Sequence, residues 1–462
     1  MHDLAHEFTS RKVSPWGGIK LFYDTYVRSG MRDVIAEMAF PEPGSNRGYE
    51  AVDKIEQFMV GVVLGSRRFQ HGEYLRADEV VREVFGWRKG MAAPSTLSRF
   101  FQRFDLKGNR VLFAHLSKAW WARMSIKRMT VDVDSTVIQR YGERIEGAER
   151  GFNPTRRGGR SHHPILAFCP EVGMVVNQWM RPGNAADASE APAFMAETIA
   201  CAGGRERIGL VRADAGFYGD ALLRVLEGFT GDVRPSGPGP VVRQAEPAER
   251  GVGYIVNARL TPTLAAAVAA IGDEDYHASG AVWPGTHYTE FTYQAQGWCA
   301  PRRMVVVRSP RSEERAGRQA ALFAEDERLR CYDFRVLVTS TELSCAQVHA
   351  QYNARAKCEN QIKELKYDYA ADGFACRELA GTEAAFSLVM LAYNIMALFK
   401  QRVMKSTQQL QAIRFQCIAI GSYLVRSGRK KTLKLSAEGE RRHFLEHLFR
   451  DVRQIRVEMV PS

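Results

Sequence analysis

Met129-Thr-Val-Asp-Val-Asp134 alternates apolar and polar side chains with the period of two that marks a half-buried strand. A second stretch, Arg207-Ile-Gly-Leu-Val-Arg-Ala-Asp214, is also strand-like and also ends on an aspartate. A carboxylate at the end of a buried strand costs free energy unless it is paired or ligated. Strand ends in sheets covered by helices are also where ligands usually sit. Two such aspartates on separate strands suit a hard divalent cation, which needs oxygen donors on a rigid scaffold and open positions for water and phosphate. Taken singly, each is more often a cap or turn residue. Asp132 shares a strand face with Asp134, because side chains two residues apart point the same way. It is either a supporting group or the ligand itself; Asp134, at the exit from the strand, is preferred.

Outward from these strands the pattern is that of a mixed sheet with helical layers. Ile165 to Cys169 and Val172 to Met180 flank Pro170-Glu-Val-Gly173 and read as a hairpin. Ala188 to Ala202 and Tyr218 to Leu226 read as helices. A Pro/Gly-rich connection from Asp232 to Gly253 leads to a strand at Tyr254 to Arg259. Residues 273–340 hold three strand-like runs, His287 to Gln294, Arg302 to Arg308 and Tyr332 to Thr339, and are expected to form a β-rich insertion. Residues 1–120 look helical. Within 78–104, a helix over Arg76 to Trp87, a break, and a helix opening at Ser95 as its capping hydroxyl suggest a helix-turn-helix, with Arg99 and Arg103 facing DNA. A plain helical hairpin with a solvated basic face is the alternative.

The chain has 462 residues, more than one core usually organises, so two to four domains are expected. Hydrophobic residues at 45% and charged residues at 25% exclude a wholly disordered chain. Lys and Arg number 64 against 52 Asp and Glu, a net charge of +12 that favours polyanionic partners. A basic enzyme without a nucleic-acid role would have the same balance. Residues 401–462 carry thirteen Lys/Arg against five Asp/Glu. The polar N-terminus lacks the apolar core of a signal peptide. The apolar run Leu388 to Phe399 is shorter than a membrane span and reads as a buried helix. Eight cysteines without a Cys-x-x-Cys pair argue against a zinc site and against disulfides, and fit a reducing cytoplasm.

A helix is expected from about Cys345 to Lys366. At ~100° per residue, Tyr352, Arg355, Lys363 and Lys366 fall within ~40° of Glu359, whereas Glu364 lies ~140° away. One carboxylate among these cations suits a metal-bound phosphodiester, with the cations holding strand phosphates. A solvated helix with i,i+4 ion pairs would explain the stripe as well. The spacing Tyr352-x2-Arg355-x3-Glu359-x6-Lys366 is similar to the Tyr-Arg-Glu-Lys signature of DDE transposases from bacterial insertion sequences. Val131-Asp-Val-Asp-Ser-Thr136 resembles the block around their first acid, and Val211-Arg-Ala-Asp-Ala-Gly-Phe217 the block around their second.

The resemblance covers about 125–400 and implies an α/β fold. Its RNase H-like mixed sheet with flanking helices (121–272 and 341–400) would be interrupted by the β-rich insertion (273–340). An N-terminal helical DNA-binding region (1–120) and a basic C-terminal helical region (401–462) would complete the chain. It implies that Asp134, Asp214 and Glu359 hold paired Mg²⁺, with Mn²⁺ able to substitute, and that the chain cuts double-stranded DNA at terminal inverted repeats and joins the ends to a target. A homodimer on paired DNA ends is implied as well. In relatives with this layout an insertion Trp can stack a flipped base. Trp283 and Trp298 are the candidates, and Arg302 and Arg303 beside Trp298 favour the latter. Arg156, Arg157 and Arg160, in a basic Gly-rich loop, could grip phosphates. His162 and His163, next to them, read as loop hydrogen-bonders rather than metal ligands. A nuclease without strand transfer and a silent DNA-binding regulator are the rival readings.

Overall fold

β-branched and aromatic runs become strands where period-two alternation lets one face or both be covered. In chain order these are β1 (Met129–Ser135), β2 (Ile138–Gln139), β3 (Glu149–Arg150), β4 (Arg160–His162), β5 (Ile165–Cys169), β6 (Met174–Trp179) and β7 (Ile208–Ala213). They continue with β8 (Gly253–Asn257), β9 (His277–Ala278), β10 (His287–Tyr293), β11 (Arg302–Pro310), β12 (Tyr332–Thr339), β13 (Ser422–Ser427) and β14 (Lys430–Leu435). The structure, a computed structural model, describes residues 4–42, 48–154, 156–229, 250–278, 283–311 and 331–456. Most of the Pro/Gly-rich connection, and the part of the expected insertion at 312–330, lie outside the described residues. The chain forms two compact units: one of 1–125, 139–148 and 361–462, the other of 126–138 and 149–360.

The second unit is built on a nine-stranded sheet in the order β6-β5-β1-β7-β8-β12-β11-β10-β9. The expected hairpin is there: β5 and β6 pair antiparallel around a turn with Gly173 at φ 61°, which favours glycine. β1 runs antiparallel to β5 and parallel to β7, and β7 parallel to β8. Every residue of β5 and β6 is buried, as expected of strands covered on both faces. The strands within 273–340 do not form a sheet of their own. β12 pairs antiparallel with β8, and β11, β10 and β9 follow, so they extend the central sheet. The buried runs Val305 to Val307 and Val336 to Val338 continue its apolar interior, and β12 supplies the backbone partners that β8 would otherwise lack.

The first unit is organised by the helix Leu379–Phe399, buried at every residue. A helix apolar all round needs partners all round; the helices Ile19–Arg28, Ala51–Val63, Pro94–Phe101 and Leu106–Ala122 supply them. The apolar element is longer than the Leu388–Phe399 run suggested. Over Leu379–Met404 it is long and apolar enough to cross a membrane, yet its most apolar window is entirely buried within the protein. Residues from 361 onward cluster with the N-terminal helices.

Around 78–104, the helix Glu79–Phe85 is capped by Asp78, whose carboxylate accepts from Val81 N–H at 3.0 Å, and is closed by Gly86 at φ 75°. The next helix, Pro94–Phe101, starts with Pro94 in its first turn after Ala93. Ser95 is therefore not its cap: the fixed φ of proline sets the start two residues earlier. Arg99 and Arg103 are exposed. The C-terminal segment is not helical throughout. β13 and β14 form an antiparallel hairpin that turns at Gly428, φ 59°. Tyr423-Leu-Val425 and Thr432-Leu433 supply the strand formers that the basic composition masked.

Gly381 marks a close approach within the helical unit, since a Cβ there would lie 2.6 Å from the Phe101 carbonyl oxygen. Gly381→Ala is expected to destabilise that unit by about 1–3 kcal/mol through overpacking. Denaturant unfolding followed by tryptophan fluorescence checks this, and an unchanged midpoint would contradict the contact.

Candidate active site

The parallel register of β1 and β7 decides which acids meet. Asp132 stands opposite Arg212, and Val133 opposite Ala213. Asp134 and Asp214 therefore follow at neighbouring strand ends, ~5 Å apart at the backbone by ordinary strand spacing. Asp214 remains extended at φ −82°, ψ −177°, and its carboxylate accepts from Gly216 N–H at 2.9 Å, capping the short turn Ala215–Phe217. Both acids share the face that carries Asp132 and Arg212. Asp132 is fully buried and ion-paired to Arg212, with contacts of 2.6 and 2.8 Å. That pairing consumes it, so of the two readings of Asp132 the supporting one stands.

The helix expected over Cys345 to Lys366 is two helices, Cys345–Asn353 and Ala356–Tyr367, parted at Ala354 and Arg355. The first is capped reciprocally by Ser344 and Gln347 and packs on β8, β10, β11 and β12. Tyr352 lies at its end, 9% exposed, in an apolar cluster with Ile255, Tyr288, Val305, Val307, Leu337 and Val348. It is thus a packing residue beneath the site, not a surface group on a DNA backbone. Because of the break, Tyr352 and Arg355 do not continue the stripe of Glu359. Arg355 instead turns to the sheet, with Nη2 2.9 Å from Asp134 Oδ1 and 3.4 Å from the Val133 carbonyl oxygen. Its Nε is buried with no hydrogen-bond partner in the structure. Glu359 lies exposed in the first turn of the second helix.

Charge joins the three acids. Burial pushes the Asp134 carboxyl up to about 6; Arg355 pulls it down, Asp214 raises it, the Ser135 N–H lowers it, and Glu359 raises it again. Asp134 thus feels both other acids, and the cation that answers them is Arg355. Among the described residues no three acidic, His or Cys side chains are gathered closely enough to grip an ion. Arg355 occupies Asp134, and Asp214 caps its turn. The donor chemistry nonetheless fits a hard divalent ion, with three carboxylates, two on neighbouring strand ends and the third on an exposed helical turn. Cys358, fully buried beside Glu359, is kept a neutral thiol by burial. His163 Nε2 lies 3.1 Å from Ser135 Oγ, in keeping with a hydrogen-bonding role.

The remaining candidates divide. Lys363 is exposed and Lys366 half-buried on the helix of Glu359, at positions that belong to the helical unit. Glu364 is engaged elsewhere, with Lys400 at 3.0 Å and Leu410 N–H at 3.1 Å, as its position off the stripe implied. Arg156, Arg157 and Arg160 are all exposed. Trp298 stacks under Arg302, whose guanidinium is 4.8 Å from the ring centroid, and meets Tyr218 edge-on. Arg302 is in turn held by Glu227 at 2.7 Å and Asp220 at 2.8 Å, so it offers no grip on DNA. Trp283, not Trp298, lines a groove of about 1030 Å³ that reaches Ala215 and Ala356, the residues beside Asp214 and at the start of the Glu359 helix. His349 lies on the same groove, its pKa pushed down to about 4 by burial and by Arg335.

Sequence reasoning missed Arg212. Its signal was an Asp-x-Asp on one strand and an Arg-x-Asp on the other, the same spacing twice, which in parallel register sets an ion pair one step behind the two acids.

The raised value at Asp134 has a sign. The folded metal-free chain holds that proton more tightly than the unfolded chain, so this carboxyl costs stability as pH rises through about 6. A divalent cation needs the ionised form and offsets that cost. Mg²⁺ or Mn²⁺ is expected to raise the melting temperature at pH 7.5, with the shift shrinking below pH 6. A melting temperature indifferent to the ion at pH 7.5 would contradict the reading.

A family described as transposase DDE domain group 1 matches residues 2–231 and 241–457. No curated protein matches the chain. Among solved structures it is similar to the piggyBac transposase synaptic complex with hairpin DNA, at TM-score 0.41 and 10% identity, over 96% of this chain and 83% of that one. That likeness is too low to support an argument, whereas the family match spans nearly the whole sequence. The chain belongs to the transposase DDE domain group 1 family.

Proposed function

We propose that this protein is the transposase of a bacterial insertion sequence, cleaving DNA at the element's terminal inverted repeats and joining the ends to a target. The observation that carries the reading is the pair Asp134 and Asp214 at adjacent parallel strand ends, with Glu359 in the field of Asp134, in a member of a DDE family. Asp134, Asp214 and Glu359 would hold the ions. When bound, paired Mg²⁺ supplies activation of a water or DNA 3′-hydroxyl and stabilisation of the leaving oxygen.

The chain's own residues have separate tasks. Asp134, with its raised proton affinity, must be ionised to take part, and Arg355 keeps that charge tolerable until DNA arrives. Arg355, beside Asp134, would hold a phosphate of the scissile strand. Lys363 and Lys366, one and two turns past Glu359 on the same helix, hold neighbouring phosphates. Arg156, Arg157 and Arg160 add sequence-independent contacts, while Arg99 and Arg103 belong to the helix pair that reads the terminal repeat. The groove beside Asp214 makes Trp283 the better placed of the two tryptophans for a displaced base. The protein works in the cytoplasm as a homodimer on paired ends, since two ends are cut together.

The test is cleavage and joining of DNA that carries the element's own ends, with Mg²⁺ or Mn²⁺. Asp134→Asn, Asp214→Asn and Glu359→Gln should each lower cleavage on the order of 10³-fold while leaving end binding intact. Nicking that never proceeds to joining would mean a nuclease. Binding with no cleavage by the native chain would mean a regulator.

A further inference from the structure

In an α-helix each N–H donates to the carbonyl four residues back. The Arg355 N–H would therefore meet the Gln351 carbonyl. That oxygen is already taken by Arg212 Nη1, at 2.6 Å. Arg355 N–H goes to the Tyr352 carbonyl at 3.1 Å and Cys358 N–H to the Arg355 carbonyl at 2.9 Å, the tighter three-residue pattern. The local sequence, Tyr352-Asn-Ala-Arg-Ala-Lys-Cys358, holds no glycine or proline that would part a helix. The break thus has an external cause, a side chain inserted from the sheet.

Arg212 can do this because it is itself fixed. It is 3% exposed, its Nε and Nη2 are spent on the two oxygens of Asp132, and β1 and β7 set the pair directly opposite. The one remaining edge of the guanidinium faces the helix. A planar, five-donor fork suits this double duty, and a lysine could not serve both partners with the same geometry.

We propose that the Asp132–Arg212 pair is a positioning device: by capturing the Gln351 carbonyl it holds open the helix break that brings Arg355 onto Asp134. The catalytic consequence rests on the reading of Asp134 as a metal-holding acid; the conformational claim does not. Two side chains one step behind the acids thereby fix where the cation opposite them stands, and hence where a phosphate meets the site.

The alternative is a buried ion pair that only fills the core, and such pairs can often be replaced by apolar groups without loss of stability. Asp132→Leu/Arg212→Met makes that replacement. Arg212→Met alone would strand a buried carboxylate and destabilise the fold, so the double variant carries the test. It should melt near the parent and bind end DNA as the parent does. With the Gln351 carbonyl free, the helix should close across Ala354 and Arg355, so that amides 354–358 exchange more slowly with deuterium in the metal-free protein. Cleavage should then fall by about tenfold or more in kcat, with KM little changed, because a guanidinium has moved by about an ångström or more. Arg212→Lys should restore folding but not the parental rate. Parental exchange at 354–358, or parental cleavage, in a folded double variant would overturn the proposal. If the parent itself cleaves no DNA, the proposed function fails, and the exchange comparison still decides the helix break.

Discussion

Two carboxylates on neighbouring strand ends repel each other, and the surroundings of Asp134 and Asp214 answer that repulsion. Water cannot screen them fully, because Asp134 is held against the sheet with its side chain 13% exposed. Within the protein the compensation is Arg355, and burial still leaves the Asp134 carboxyl near 6. A site in this state has more negative charge than one guanidinium settles comfortably. Such a site favours further positive charge. The cost of building it is met by the scaffold: a nine-stranded sheet with its central strands covered on both faces leaves the strand ends little freedom to move apart.

The contrast with the preceding pair on the same strands is instructive. Asp132 and Arg212 neutralise each other in full burial, and removing either alone would leave a charge whose desolvation costs about 3–5 kcal/mol. Asp134, two residues further on, takes its partner from the helix instead. Sheet and helix therefore divide the work. The strands fix the spacing of two acids, whereas the third acid and the balancing cation come from helical turns around a break. Turns with exchanged hydrogen bonds have less to lose on rearrangement than a closed helix.

Much of this was legible in the sequence. Period-two alternation placed β1, the β5–β6 hairpin and β7, and the aspartates at their ends identified the candidate acids, because strand periodicity and the cost of a buried charge are local properties. The resemblance to DDE transposases agrees with the family to which the chain belongs. What stayed hidden was long-range. Where the strands of 273–340 dock was not legible, since their backbone edges pair onto β8 and no local pattern reveals that. The helix break at Arg355 has no local breaker; it is imposed by Arg212, remote in sequence. Tyr352 looked like part of a polar stripe until the break turned it into the core. Trp298 looked available because its neighbour Arg302 was counted as a free cation, whereas Asp220 and Glu227 hold that cation.

The central claim is that Asp134, Asp214 and Glu359 converge on divalent ions, and anomalous diffraction from a crystal of the native protein with Mn²⁺ and end DNA addresses it directly. Two Mn²⁺ peaks are expected, both within ligating distance of Asp134, one also bound by Asp214 and the other by Glu359. Peaks away from these side chains, or a Glu359 carboxylate turned from the ions, would contradict the account.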